Sequence, residues 1–152
     1  MRFMLKHNEL IGNMDRHIKI CFSFILIIIG GVIYLLYRDK SLVMFSWFEH
    51  IGLNRIIDSI RSKSIGAEPC YWIKYNLPAG LWLLSYMLII DAVWQDCEGK
   101  SRKFYIYVLP ILALWSELMQ SYGLCSGTFD VLDVVSYLFA IILFKTIKYY
   151  EK

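Results

Sequence analysis

ICFSFILIIIGGVIYLLY, residues 20–37, is an unbroken run of 18 uncharged residues with Lys19 before it and Arg38 after it. At 1.5 Å per residue, a helix of about 18 residues covers roughly the 30 Å hydrocarbon core of a bilayer. A cleaved signal peptide would have an apolar region of about 7–15 residues and then small residues at a cleavage site. Because RDKS follows instead, the sequence predicts a retained membrane anchor at about residues 19–37.

The composition of the whole chain is typical of a membrane protein. Of its 152 residues 58% are apolar, whereas about 45–50% is normal in soluble domains. Aromatic residues make up 16%, which suits rings anchored at two membrane interfaces. The net charge of +3 is too small to favour nucleic acid as a partner. The length predicts one membrane domain, residues 1–152, with membrane lipid around it.

Three further apolar segments predict an all-α, polytopic transmembrane bundle of about four helices. They cover about residues 75–95, 104–122 and 130–149. Pro78 fits the first turn of the second helix, and Pro110 is expected to kink the third. The last two segments have only short stretches free of charge, so a bundle of three spans is the alternative.

The positions of the Lys and Arg residues predict the orientation. Ten of them lie in the N-terminal segment, the second loop and the C-terminal segment, six lie in the first loop, and none lies in the third loop. Cytoplasmic loops carry the excess of positive charge. Both termini are therefore predicted to be cytoplasmic, and the membrane is taken to be a bacterial inner membrane.

The long first loop, residues 38–74, has a helical pattern of its own. Phe48, Ile56 and Ile60 fall near helical spacing, and charged residues occupy the other faces. This pattern is typical of an amphipathic helix. Such a helix either lies in the membrane interface or packs on the bundle.

Four acidic or amide side chains interrupt the otherwise apolar residues 115–137: Glu117, Gln120, Asp130 and Asp133. The members of each pair are three residues apart and share a face of their helix. The loop between the pairs is short, so the two helices are expected to be antiparallel neighbours with both pairs at the outer end. No Lys or Arg lies between Lys103 and Lys145, and carboxylates at membrane depth cost several kcal/mol unless paired, protonated or hydrated.

Three arrangements would resolve this concentration of negative charge. The first pairs Lys74 with Glu117 while Asp130 caps the last helix. The second protonates one or more carboxyl groups, and the third adds a bound cation or cationic ligand that the sequence does not identify. Asp91 lies apart, near the cytoplasmic end of the second helix. The candidate ligand- or ion-binding residues are Lys74, Asp91, Glu117, Gln120, Asp130, Asp133 and Tyr137.

The four cysteines form no C-x-x-C pair and the three histidines are scattered, so neither a metal site nor a cofactor is predicted. Cys70 and Cys125 both lie on the outer side of the predicted topology. A disulfide between them is one alternative, and two free thiols are the other. No catalytic motif is present. Gly30 and Gly31 in the first helix are expected to permit close helix packing.

Residues 115–140 resemble the C-terminal signature of the VanZ-like membrane proteins, a family named after a protein linked to low-level teicoplanin resistance. The family pattern has an acid and a glutamine three residues apart, a short loop, and an aspartate that opens the last helix. Glu117, Gln120 and Asp133 match it. The chain departs from it at three positions, where the family has an arginine, an asparagine and a glycine: Gly127, Tyr137 and Ala140. The resemblance implies a small helical envelope protein that acts on lipids, cell-wall precursors or the access of amphiphilic drugs.

Two functions of different classes fit these features. The first is a non-enzymatic inner-membrane protein whose outer acidic cluster binds an ion or polar headgroup and so affects lipid, ion or drug handling. The second is a pore-forming or signalling component, such as a defence or stress effector, which would act as a homo-oligomer because four short helices cannot enclose a pore alone. An intramembrane enzyme is disfavoured, since no nucleophile–base pair is evident.

Overall fold

The computed structural model describes residues 15–63, 69–97 and 99–151, and all regular structure within them is helical. The described residues form seven helices: α1 Arg16–Tyr37, α2 Val43–His50, α3 Asn54–Lys63, α4 Tyr71–Tyr75, α5 Leu77–Val93, α6 Lys100–Ser121 and α7 Val131–Tyr150. The predicted all-α fold class and the helical bundle are confirmed. Each of the four predicted spans coincides with one long helix, namely α1, α5, α6 or α7.

Among the described residues, α1 is the one helix that is both long and apolar enough to cross a bilayer. It is mostly exposed. The apolar helix α5 is shorter, with 17 residues. α1 supports membrane association. This support is weak, because a signal sequence near an N-terminus is also a long apolar helix. The number of spans, the identity of the membrane and the side on which the termini lie stay predictions.

α5 is the central helix, because α1, α6 and α7 all pack against it. It begins with Pro78 in its first turn, where the missing N–H breaks no helical hydrogen bond. The other helices add apolar side chains to the core that α5 forms. The buried core residues are Leu26 of α1, Leu83, Leu84, Met87 and Leu88 of α5, Ile106 of α6, and Ala140 and Phe144 of α7.

The adjacent glycines of α1 have different surroundings. Gly30 lies against Trp82 of α5, and a Cβ atom at this position would be 2.6 Å from Trp82 Nε1. A Cβ atom at Gly31 would meet no atom within 4 Å. The expectation of close helix packing is therefore confirmed for Gly30 and wrong for Gly31, which lines an open groove.

The first loop contains two helices, α2 and α3, where the sequence predicts one. The turn between them includes Gly52, whose φ of 74° lies in the left-handed region that favours glycine. Ile57 of α3 is buried, and Arg61 donates hydrogen bonds to the carbonyl oxygens of Leu35 and Arg38 at 3.0 and 2.9 Å. α3 therefore packs on the end of α1. Of the two alternatives for this loop, the structure shows the helix that packs on the bundle.

The long helices alternate in direction, so their ends meet at two opposite ends of the bundle. The beginnings of α1 and α6 and the ends of α5 and α7 meet in a group of charged residues that we call the ion-pair cluster: Lys19, Asp91, Arg102, Lys148 and Glu151. At the other end, α6 meets α7 and the residue that precedes α5. This second group is called the carboxylate cluster and consists of Asn76, Glu117, Asp130 and Asp133.

Candidate functional site

The carboxylate cluster joins three acidic side chains through one amide group and one backbone N–H. Asn76 donates hydrogen bonds from Nδ2 to Asp130 Oδ2 at 3.0 Å and to Asp133 Oδ1 at 2.9 Å. The backbone N–H of Asp130 donates to Glu117 Oε2 at 3.4 Å. The prediction that helices α6 and α7 bring these acids together is borne out by these contacts.

Asn76 is the residue of this cluster that sequence reasoning missed. Its side chain is fully buried, and its Oδ1 atom accepts no hydrogen bond from any described residue. The orientation of the amide is fixed, because the reverse orientation would place Oδ1 against two carboxylates. A buried acceptor without a donor costs about 1–3 kcal/mol. The oxygen of Asn76 is therefore a buried acceptor whose hydrogen-bonding capacity is unused by the described residues.

Asp130, the residue before the first turn of α7, caps this helix, as in the first of the three arrangements that the sequence leaves open. Its Oδ1 accepts a hydrogen bond from the backbone N–H of Leu132 at 2.8 Å, and Tyr71 donates to its Oδ2 at 3.4 Å. The hydrogen bonds from Asn76 and from Leu132 hold the pKa of Asp130 below its ordinary value. This aspartate is therefore an ionised cap at the positive end of the helix dipole.

No cation of the described residues forms an ion pair with Glu117, Asp130 or Asp133. Lys74 does not pair with Glu117, because its Nζ atom lies over the ring of Tyr75, 5.1 Å from the ring centroid. Within the described part of the chain, the negative charge of the carboxylate cluster is thus not neutralised by contact with a basic side chain.

Arg38 follows the last residue of α1 and contacts Tyr75, the residue before Asn76 of the carboxylate cluster. The guanidinium group lies between the rings of Tyr34 and Tyr75, at 5.1 and 5.0 Å from their centroids. Its Nε atom is buried and makes no hydrogen bond to the residues that the structure describes. A guanidinium group with an unused donor therefore lies at the same end of the bundle as the carboxylate cluster, in contact with the residue before Asn76.

The other predicted residues near the cluster do not take part in its hydrogen bonds. Gln120 donates from Nε2 to Ser116 Oγ at 3.2 Å, and its side chain lies against Gly127, whose φ is 132°. Tyr137 packs against the core one turn along α7 from Asp133. These two residues therefore pack near the carboxylates without forming hydrogen bonds to them.

The cysteines of the described residues are all free thiols. Cys70 and Cys125 are both exposed and are not bonded to each other. Of the two alternatives for this pair, the structure therefore shows two free thiols. Within residues 15–63, 69–97 and 99–151, no three His, Cys, Asp or Glu side chains are arranged to hold a metal ion.

Asp91 belongs to the ion-pair cluster, at the end of the bundle opposite the carboxylates. Its Oδ2 accepts hydrogen bonds from Lys19 at 2.8 Å and Lys148 at 3.2 Å, and its Oδ1 accepts one from Arg102 at 2.6 Å. Glu151 accepts from Lys148 at 2.6 Å and Lys19 at 3.1 Å. Because the chain's own cations occupy both oxygens of Asp91, we assign this residue a structural role in place of the predicted ligand-binding role.

A signal for the ion-pair cluster is present in the sequence. The count of positive charges treats Lys19, Arg102 and Lys148 only as evidence of orientation, although each lies at the predicted cytoplasmic end of a helix. Asp91 lies at the same end of the second helix. A single acid at the same depth as three cations from other helices predicts an ion-pair group, since an unpaired buried charge is very costly.

Comparison with protein families, with characterised proteins and with solved structures found no match for this chain. What the described residues define is an all-helical bundle with charged groups at both ends. One group is neutralised internally, and the other is an uncompensated cluster of carboxylates around a buried amide.

Proposed function

We propose that this protein is a small, four-span membrane protein whose carboxylate cluster binds an organic cation with N–H groups at the membrane surface. The observation that carries the proposal is the buried amide of Asn76: its oxygen accepts no hydrogen bond from the described residues, while its nitrogen binds two carboxylates that form no ion pair there. The proposed role is binding rather than catalysis.

The outer surfaces of the long helices support the four-span topology. Large apolar side chains cover the outside of α1, α6 and α7, and Ile28, Ile111 and Ile142 are 61, 62 and 59% exposed. In water, contiguous apolar surface of this kind is rare on a monomeric protein. Lipid chains would cover it in a membrane, and both charged clusters would then lie toward the two polar surfaces.

The chemistry of the carboxylate cluster favours an ammonium group as the ligand. An ammonium offers three N–H donors, which would satisfy Asn76 Oδ1 and one or two carboxylate oxygens at the same time. Hydrogen bonds between charged groups are shorter and stronger than neutral ones. Tyr71 and Tyr75, whose ring centroids are 4.6 Å apart, add aromatic faces that attract cations.

The VanZ-like resemblance supports a role in the bacterial envelope. Two of its three matching residues, Glu117 and Asp133, are members of the carboxylate cluster, and the third, Gln120, lies on the same helix as Glu117, one turn away. We therefore propose that cation binding by this cluster affects lipid, ion or drug handling in the inner membrane, with both termini in the cytoplasm.

A titration of the full chain in phosphatidylcholine nanodiscs tests the proposal. The probe is ethylammonium, and tetramethylammonium is the control because it has the same charge and no N–H donor. Tryptophan fluorescence is the readout, since Trp72 donates a hydrogen bond to Ser136 of α7 at 3.0 Å beside the cluster. We expect a saturable response to ethylammonium and binding of the control at least about tenfold weaker.

The variants Asp133→Asn and Glu117→Gln should lose the response and keep the wild-type helix content. Glu49→Gln is the matched control, because Glu49 is an exposed carboxylate on α2 away from the cluster. Equal binding of both probes, or an unchanged response in Asp133→Asn, would show that the cluster is not an ammonium site. Subunit counting of the same sample tests the pore alternative, which requires a stable homo-oligomer and ion flux.

A further inference from the structure

A cavity of about 380 Å³ lies between α1, the first-loop helices α2 and α3, and α5. We call it the apolar groove. Its lining is almost entirely apolar and includes Gly31, Val32, Leu36, Met44, Phe48 and Trp82. On α1 the lining extends from Ile28 to Leu36, a distance of about 12 Å along a helix. This elongated shape suits a stretch of hydrocarbon chain.

Arg38 and the carboxylate cluster lie outside the lining of the apolar groove and are linked to it through Tyr34. Tyr34 lines the groove and stacks on the guanidinium of Arg38, which stacks in turn on Tyr75. The next residue, Asn76, binds Asp130 and Asp133. A hydrocarbon-shaped groove, a cation and a carboxylate cluster are therefore connected through successive contacts.

The order of these features matches the order of the groups in a zwitterionic phospholipid. A guanidinium is well suited to phosphate, which it binds with two parallel hydrogen bonds, and Arg38 has no carboxylate partner among the ion pairs of the described residues. The carboxylates and the oxygen of Asn76 suit an ammonium. The two tyrosine rings that stack on Arg38 do not neutralise its guanidinium group. A phosphate near Arg38 would supply the missing negative charge.

We propose that the apolar groove, Arg38 and the carboxylate cluster bind one phospholipid whose headgroup carries a primary ammonium. An acyl chain occupies the groove, the phosphate binds Arg38, and the ammonium binds Asp133 and Asn76 Oδ1. The ammonium part of this inference rests on the proposed function. The groove and the phosphate part go beyond it and commit the site to a lipid.

Lipid retention by the full chain measures the inference directly. The protein is exchanged into detergent from vesicles with equal amounts of phosphatidylethanolamine, phosphatidylglycerol and phosphatidylcholine, and the lipids that stay bound are counted by native mass spectrometry. Phosphatidylglycerol lacks the ammonium, and phosphatidylcholine lacks its N–H donors. We expect phosphatidylethanolamine to be retained at least about tenfold better than either.

Gly31→Leu tests the apolar groove, because a side chain at Gly31 meets no atom within 4 Å and would fill the space. We expect it to abolish the retention of phosphatidylethanolamine and to leave ethylammonium binding unchanged. Val32→Phe, from the same lining, is a second groove variant in case the first folds poorly. Ile29→Phe is the matched control: it adds bulk to α1 at an exposed position that is not part of the lining.

Arg38→Gln should lower lipid retention about tenfold, whereas Asp133→Asn should lower both lipid retention and ethylammonium binding. Equal retention of phosphatidylglycerol, or wild-type retention by both groove variants, would overturn the lipid inference. Ethylammonium binding without any lipid preference would also overturn it and would leave the proposed function standing. Failure of ethylammonium binding together with loss of the lipid preference would overturn both proposals.

Discussion

Asp91 is a single buried carboxylate that connects four helices. Its side chain is 1% exposed and accepts hydrogen bonds from cations on α1, α6 and α7. Removing one member of a buried ion pair costs more free energy than the pair contributes in net terms, because the remaining charge stays buried with fewer partners. At the scale of single residues, this carboxylate is therefore the most sensitive position of the ion-pair cluster.

Asp91→Asn should lower the free energy of unfolding by about 3–5 kcal/mol, since Lys19 is completely buried and would lose its closest partner. Denaturant unfolding in detergent micelles, followed by circular dichroism, measures this change. Asp96→Asn is the control, because the ion pair between Asp96 and Arg16 is exposed and such pairs contribute little. Equal effects of the two substitutions would contradict the structural role of Asp91.

Asp130 should make stability dependent on pH at the carboxylate end. Its pKa in the folded protein is lower than in the unfolded chain, mainly because Asn76 donates a hydrogen bond to it. The stabilisation is therefore complete above the unfolded value of about 3.9 and is lost as the pH falls through the lower folded value. Melting temperatures of wild type and Asp130→Asn, measured from about pH 5 to pH 2, should converge toward acid pH. Asparagine still caps a helix, so curves that stay parallel would disprove the effect of the charge.

At the scale of helices, the two adjacent glycines of α1 predict changes of opposite sign. Gly30→Ala should lower the melting temperature, because its Cβ would displace Trp82, whose Nε1 donates a hydrogen bond to Ile27 O at 3.3 Å. Such overpacking costs about 1–3 kcal/mol. Gly31→Ala should raise stability by about 0.5–1 kcal/mol, because alanine favours the helix and meets no neighbour. Thermal unfolding of both variants gives the signs, and equal signs would refute the packing that the structure shows.

Hydropathy predicts the four long helices well because each is a long apolar segment between charged or turn-forming residues. The first loop is harder. The spacing of Phe48, Ile56 and Ile60 fits one helix, but the break at Gly52 depends on a positive φ that hydrophobic periodicity does not reveal. Periodicity also does not decide between the membrane interface and the bundle, a choice that depends on contacts such as the one from Arg61 to α1.

The candidate site is predictable as far as it depends on neighbouring segments. The short loop after α6 predicts that Glu117 meets Asp130, and the position of Asp130 predicts the cap. Asn76 carries no signal, because one asparagine between apolar residues has no spacing pattern and its role depends on contact with α7. The topology predicts Lys74 as a partner of Glu117, but the direction of α4 brings its ammonium over Tyr75.

At the scale of the whole molecule, two exposed cysteines test the number of spans and the orientation. Cys97 lies between α5 and α6, and Cys125 lies between α6 and α7. If α6 crosses the membrane and the termini are cytoplasmic, a membrane-impermeant maleimide added to spheroplasts should label a variant with Cys125 as its only cysteine. A variant with only Cys97 should react after the membrane is opened.

The reverse labelling would invert the predicted orientation while keeping the four spans. Labelling of both variants from the same side would show that α6 does not cross, as in the three-span alternative. Cells that express the cysteine-free protein provide the background signal for each measurement.

The ion-pair cluster has a consequence for biosynthesis. Lys19 and Glu151 are 132 positions apart along the chain, yet their side chains touch. α1 is translated long before α7. Lys19 and Asp91 therefore lack their partners Glu151 and Lys148 until the last turn of α7 has left the ribosome. A nascent chain that stalls within α7 lacks Glu151 and Lys148 and exposes an incomplete, charged joint between its helices. The ion pairs of Lys148 and Glu151 therefore mark the packing of α7 against α1 and α5.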